Sequence, residues 1–491
     1  MGIIAKQSSW ASLAIGIGVA IGAVNTMVVL PRAFEGVEAQ WGLLRLLTSW
    51  GIILSSLTLL GTPSGIMRFL ARYDEKERPG VLRTLLILPT IGLLLVLVVF
   101  GLFGHQILPL LNAEKGESLS NHIAGFLLIT SAMVLLQLVR AIINQQLKTA
   151  ILSWVDQVWQ KGSYLTLGIL FYFKQIDFDS FLNWYIATWG ISALFLLIQA
   201  YNLPQRVGKT WNRREFKQIL NFSLFSLLAG GASTIAFHLD FVMIGKYIGL
   251  EQIPIYTVGL FLGVLVGMPM RASRPILGGI SASFVAKNKT REIHALNHQS
   301  ARVNFLLSTA IMSGIWAGLA PFQLLLPEAY RGLEFIFLCI GFQYLIISIN
   351  TVNNQILGFS KWYKLSLPLN LGLVLLTLAS NYVFIVTLDM GVKGAALATL
   401  GTAIWNNTWR LVIVSRKMKT HPFSWPLVFI ALIGSACASS FHWHANVFSH
   451  PLIGAAVQGI LGSGTTIVLC YISGFFPELR DGVRARISWW P

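Results

Sequence analysis

The chain has 491 residues, of which 55% are hydrophobic and 11% charged, against about 25% charged in a soluble globular protein. That balance excludes a water-soluble enzyme or binding domain and describes an all-α polytopic membrane protein, whose spans each need roughly 20 apolar residues. The formal net charge of +17 would suit nucleic acid, but the placement of the charges points elsewhere.

In chain order, about fourteen apolar stretches are long enough to span. The first, 8–30, carries Gly16, Gly18 and Gly22 on a face suited to close helix contact. It is too long for a signal peptide core and runs into Pro31-Arg32, so it reads as a retained helix. An outer turn with Arg32, Glu35 and Glu38 leads to the second span, 41–63, which holds Arg45. An inner loop with Arg68, Arg72 and Lys76 follows, then spans at 85–111 and 123–143, joined outside by a loop holding Glu114, Lys115 and Glu117. The fifth span, 150–172, contains Asp156 and Lys161, and the sixth is 181–201. Residues 204–218 are the most basic connection and read as a cytoplasmic linker. Spans at 222–245 and 255–284 come next, the first with Asp240 and the second with Arg271 and Arg274. An inner loop with Lys287, Lys289, Arg291 and Arg302 precedes spans at 305–326, 335–357, 365–387 and 394–414. A last pair, 427–441 and 452–472, is followed by a basic tail, 475–491.

With the spans so drawn, 28 of the 36 Lys and Arg fall on one side, six on the other, and Arg45 and Lys161 within spans. That asymmetry is the positive-inside pattern. It places both termini in the cytoplasm, accounts for the charge without nucleic acid, and predicts attraction to anionic lipids. Cys339, Cys437 and Cys470 lie in apolar spans and read as small buried side chains, with no disulfide or metal spacing.

The chain also repeats itself. Val28/Val242, Arg32/Lys246, Trp41/Tyr256 and Arg72/Lys287 recur at an offset of about 215 residues. The expected organisation is an N-terminal lobe at 1–203, the linker at 204–218, a C-terminal lobe at 219–417, and an accessory helix pair at 418–474. Each lobe has six spans, an even number, so the two enter the membrane in the same sense. They are then related by a pseudo-two-fold axis along the membrane normal, with substrate expected between them.

The Pro31-Arg32 turn, the Trp41-Gly42-Leu43-Leu44-Arg45 entry and the Gly61, Arg68, Ala71, Arg72 exit resemble the polysaccharide-transport branch of the multidrug/oligosaccharidyl-lipid/polysaccharide exporters. So do Asp240, Ile244-Gly245, Tyr247-Ile248-Gly249, Ile255-Tyr256-Thr257-Val258 and Pro275. The resemblance implies a flippase without enzymatic activity in the bacterial inner membrane. It would move an undecaprenyl-pyrophosphate-linked oligosaccharide outward by alternating access, for cell-surface polysaccharide such as lipopolysaccharide. It implies a monomer that associates with polysaccharide-assembly membrane proteins and has no cofactor, with coupling to Na+ or H+ left open.

The residues supply their own argument. A pyrophosphate carried through about 30 Å of hydrocarbon needs cations, and the Arg donor fork suits it. Arg45, Lys161, Arg271, Arg274 and Arg410 lie within or at the edge of spans, against the acids Asp156 and Asp240. Each also has a structural reading. Arg45, Arg271, Arg274 and Arg410 can snorkel to the interface, and Asp156 and Lys161, five apart, can pair. Asp240 reads as a structural pair, with Lys246 or a base on another helix, or as an ion-coupling site. Asn350, Asn353 and Asn354 share a helical face and suit helix–helix glue somewhat better than sugar hydroxyls. Lipid II is an alternative passenger with the same chemistry. Efflux of organic cations would want more acids than bases. A glycan ligase or polymerase would want a large outer loop.

Overall fold

The computed structural model describes residues 2–70, 78–111, 122–146, 148–200, 213–442 and 450–474. Ala71, Arg72, Lys76, Glu114, Lys115, Glu117, most of the linker, His444 and the 475–491 tail lie outside those residues. The described residues are helical almost throughout and contain no strand. This is the state a chain must adopt in hydrocarbon, where every backbone group has to be satisfied within its own segment.

Joined across turns and bends, the helices of the described residues form fourteen rods. These are α1 (Ser9–Ala33), α2 (Glu38–Thr58 and Thr62–Phe69), α3 (Arg78–Leu111), α4 (Ile123–Gln145), α5 (Thr149–Ser153, Trp154–Trp159 and Gln160–Tyr172) and α6 (Phe178–Ala200). Next come α7 (Arg213–Ser226, Leu227–Gly231 and Ala232–Tyr247), α8 (Gln252–Val266 and Met268–Ala286), α9 (Thr290–Gln323) and α10 (Leu333–Ile349 and Thr351–Phe359). Last are α11 (Tyr363–Thr387), α12 (Gly391–Met418), α13 (Trp425–His442) and α14 (Pro451–Ile472). Among the described residues, seven helices are long and apolar enough to cross a membrane on their own, and ten are if each bent pair counts once.

The rods are not straight. α1 and α7 each contain a π-helical turn, at Asn25–Val29 and Leu227–Gly231, and α5 and α11 do too, at Trp154–Trp159 and Tyr382–Thr387. α2 and α8 are bent by 51° and 49°. The 215-residue offset pairs these rods, but the π turns and bends do not fall at equivalent positions within them. The bend of α2 turns on Gly61, at φ +76°, where a Cβ would overlap the Ser223 carbonyl of α7. The bend of α8 turns on Gly267, where a Cβ would overlap the ring of Tyr344. α10 is bent by 53° at Asn350.

α9 departs from the expected 305–326. It begins at Thr290 and runs 34 residues, about 51 Å at 1.5 Å per residue. The basic stretch read as loop up to Arg302 is therefore helix that extends past the apolar part of the rod.

Two compact units emerge from the contacts, residues 1–254 with 370–387, and residues 255–369 with 388–491. In the first, a stacked aromatic core joins Phe34, Trp41, Phe171 and Phe181. In the second, α9 is the hub, and α13 and α14 pack on it through small residues. Gly314 and Gly318 meet α14 at Ser463 and Ala455, and Ser313 Oγ donates to the Gly434 carbonyl of α13 at 2.9 Å. Backbones that close gain dispersion contacts in a solvent that offers no hydrophobic drive between helices. Cys339, Cys437 and Cys470 are buried and free.

Candidate functional site

In the first unit the site is built around Arg45, less than two turns into α2. Its guanidinium carbon lies 4.7 Å from the centre of the Phe241 ring on α7, a cation–π distance. Its Nε is buried without a hydrogen-bond partner. Around it stand hydroxyl and aromatic groups from four rods. The Tyr164 and Tyr185 rings are 5.1 Å apart, the hydroxyls of Thr48 and Tyr185 share a hydrogen bond at 3.0 Å, and His238 Nδ1 lies 3.3 Å from Ser49 Oγ. Tyr164 and His238 both feel the Arg45 charge. A guanidinium held by a ring, beside neutral hydroxyls and with no carboxylate among these groups, keeps its charge available to an anion.

Lys161 and the two span acids are differently placed. Lys161 Nζ donates to the Gly18 carbonyl at 3.1 Å, tying α5 to α1. Asp156 pairs with Arg140 of α4, not with Lys161. Arg140 was not singled out in the sequence, since its partner is 16 residues away on another rod. The pair is about a quarter exposed on each side. A cavity of about 500 Å³ opens beside it, lined by Ser64, Arg68, Gln137, Arg140 and Asn144 among others. Asp240 is 4% exposed and accepts a 2.8 Å hydrogen bond from Asn381 Nδ2. Lys246, the base named beside it, lies instead over the Tyr247 ring, 5.5 Å from its centre.

The second unit holds a basic group on the half of α8 beyond the Gly267 bend. Arg271 and Arg274 are exposed. Arg271 Nη2 donates to Tyr344 Oη at 2.7 Å, with its guanidinium carbon 5.3 Å from that ring's centre. Arg410 of α12 is close enough to Arg274 for their charges to act on each other, and its Nε donates to Asn406 at 3.2 Å. Neither α8 nor α12 carries a single Asp or Glu. Arg271, Arg274 and Arg410 therefore have no acid on their own rods.

The amides divide. Asn350 is buried and its side chain is engaged: it donates to the Ile346 carbonyl at 3.1 Å and accepts from Asn353 at 2.9 Å. Asn297 of α9 extends the chain, donating to Asn353 Oδ1 at 2.8 Å. Asn354 is half-buried, with a buried Oδ1 that has no partner, and Gln355 donates to the Arg274 carbonyl at 2.7 Å. Tyr344, Asn297, Asn381 and the hydroxyls around Arg45 were missed in the sequence. They come to the site only through tertiary contacts. Among the described residues no group of three or more His, Cys, Asp or Glu is arranged to hold a metal ion.

No protein-family model matches this chain, and no curated protein matches it. Its fold does match solved structures. Over 96% of this chain and 99% of the other, it is similar to the lipid II flippase MurJ in an inward closed conformation, with TM-score 0.74 and 14% identity. It is similar to a multidrug resistance MATE family transporter of the MOP superfamily in an inward-facing conformation, over 83% and 99% of the chains, with TM-score 0.61 and 15% identity. It is also similar to an outward-facing conformation of such a transporter, over 84% and 97%, with TM-score 0.54 and 17% identity. At these identities the likeness is one of fold. That fold is the all-α polytopic membrane architecture expected from the sequence.

Proposed function

We propose that the protein is a flippase of the MOP type that moves a lipid-linked oligosaccharide, joined through pyrophosphate to a polyprenol, across the bacterial inner membrane by alternating access. Its termini would lie in the cytoplasm, it would act as a monomer beside polysaccharide-assembly membrane proteins, and it would perform no covalent chemistry. The observation that carries this reading is the imbalance of charge inside the spans. Arg45 in one unit and Arg271, Arg274 and Arg410 in the other stand among hydroxyls, rings and amides. The span acids Asp156 and Asp240 are already engaged, by Arg140 and Asn381. Ionisable groups at membrane depth are costly and mark function, and spans richer in Arg than in acid suit an anionic phosphate headgroup better than an organic cation. The engaged acids favour structural roles over ion coupling.

Lipid II is the second reading, because the fold likeness extends over nearly the whole of the lipid II flippase. It presents the same pyrophosphate on a different glycan. The test is complementation. In a strain lacking the gene, the wild type should restore a surface glycan while Arg45→Ala and Arg271→Ala, present at wild-type level, should not. Rescue of a lipid II flippase deletion would select the second reading. Restored display by both variants would remove the cationic path.

A further inference from the structure

Three imidazoles meet at the basic end of α9, next to the Asn297–Asn353 pair. His294 and His298 are four apart on that rod and share a face. His421 reaches them from the connection between α12 and α13. Ring centres lie 4.4 Å apart for His294 and His298, 5.1 Å for His298 and His421, and 5.5 Å for His294 and His421, each pair edge to face. His294 Nδ1 lies 3.2 Å from Thr420 Oγ1, and Asn297 Nδ2 donates to the same hydroxyl at 3.3 Å and to Asn353 of α10 at 2.8 Å. His298 Nε2 is buried and has no hydrogen-bond partner. Three side chains thus join α9 to a single short connection, where the chain reverses after Lys419, at φ +51°.

The surrounding charges are basic. Arg302 on α9 acts on His298, Lys419 precedes Thr420, and Arg416 and Lys417 end α12, with Lys417 over Trp362 of the α10–α11 connection. The acid nearest in sequence on α9, Glu292, is paired with Lys289 at 3.2 Å. Imidazole takes up a proton within the physiological range. The rings pack edge to face here, and His294 shares a hydrogen bond with Thr420. Protonated rings 4.4–5.5 Å apart repel each other inside a basic surround, and His298 offers no acceptor for the new charge.

We propose that His294, His298 and His421 form a proton-sensitive latch that holds the α12–α13 connection to α9 when the rings are neutral and releases it when they charge. The device ties the six-rod repeat to the accessory pair α13 and α14, and it stands independently of what the protein carries. Hydrogen exchange of the full-length protein in nanodiscs, read by mass spectrometry at pH 7.5 and pH 5.5 and corrected for intrinsic exchange, tests it. The helical amides of residues 293–301 of α9, against which the connection packs, should open about tenfold more at the lower pH, and His298→Gln with His421→Gln should abolish that difference. His421→Gln alone, at an exposed position, should reduce it and guards against a double variant that fails to fold. An acid response that is absent in the wild type, or unchanged in the variants, overturns the latch. So does protection by micromolar Zn2+ at pH 7.5, which would make the cluster a cation site.

Discussion

Arg271 offers the sharpest perturbation of the basic path. Its guanidinium is exposed, yet it is aimed by one ring, Tyr344, which supplies both a 2.7 Å hydrogen bond and a face at 5.3 Å. That ring can lie so close to α8 only because residue 267 has no Cβ. A hydrogen bond to a charged group contributes about 1.5–3 kcal/mol, so Arg271→Ala should weaken binding of a pyrophosphate lipid by about 10- to 100-fold. Arg271→Lys keeps the charge and loses the planar fork, and should fall between. Tyr344→Phe leaves charge and ring in place and removes the hydrogen bond that orients the guanidinium. Immobilising a long side chain costs about 0.5–1.5 kcal/mol, so the loss should be about two- to tenfold. The assay is binding of a fluorescent polyprenyl pyrophosphate to purified protein in nanodiscs, with melting temperature as the control for folding. Equal affinity for wild type and a folded Arg271→Ala protein would refute the reasoning. A Tyr344→Phe loss as large as that of Arg271→Ala would show that the tyrosine itself, not the arginine, makes the contact.

Other expected outcomes are simpler to read. Gly61→Ala forces a Cβ onto the Ser223 carbonyl at positive φ and should destabilise the first unit by more than about 1 kcal/mol, seen as a lower melting temperature. Asp156→Asn leaves Arg140 without its acid and should cost stability; because both side chains are about a quarter exposed, the loss should sit below the roughly 3–5 kcal/mol of a fully buried pair. Asp240→Asn retains an oxygen that can accept from Asn381 and should leave glycan export within a few-fold of wild type; complete loss of export would restore Asp240 as an ion-coupling group.

The architecture was readable because hydrocarbon allows few solutions. Runs of apolar residues, which mark the spans, depend on local composition alone. The breaks were less visible. Gly267 and Asn350 interrupt stretches that read as continuous helix, and only packing against Tyr344 explains why the first must be glycine. The site was readable as a set of charges but not as a set of partners. Asp156 has Lys161 five residues away, and the structure gives it Arg140 from a neighbouring rod. Arg45 was legible as an intramembrane cation, whereas the ring that holds it and the hydroxyls beside it arrive from α5, α6 and α7. His294 and His298 had legible helical spacing, but they fell in a stretch expected to be loop, so their shared face carried no meaning until α9 was seen to begin at Thr290.

The account rests on an anion being recognised by arginines inside the spans. Its most direct measurement is native mass spectrometry of the purified protein offered, in competition, an undecaprenyl-pyrophosphate oligosaccharide and an organic cation such as ethidium. The prediction is a one-to-one complex with the pyrophosphate lipid that is lost in Arg45→Ala with Arg271→Ala. Retention of ethidium instead, with the lipid excluded and the double variant indistinguishable from wild type, would contradict it.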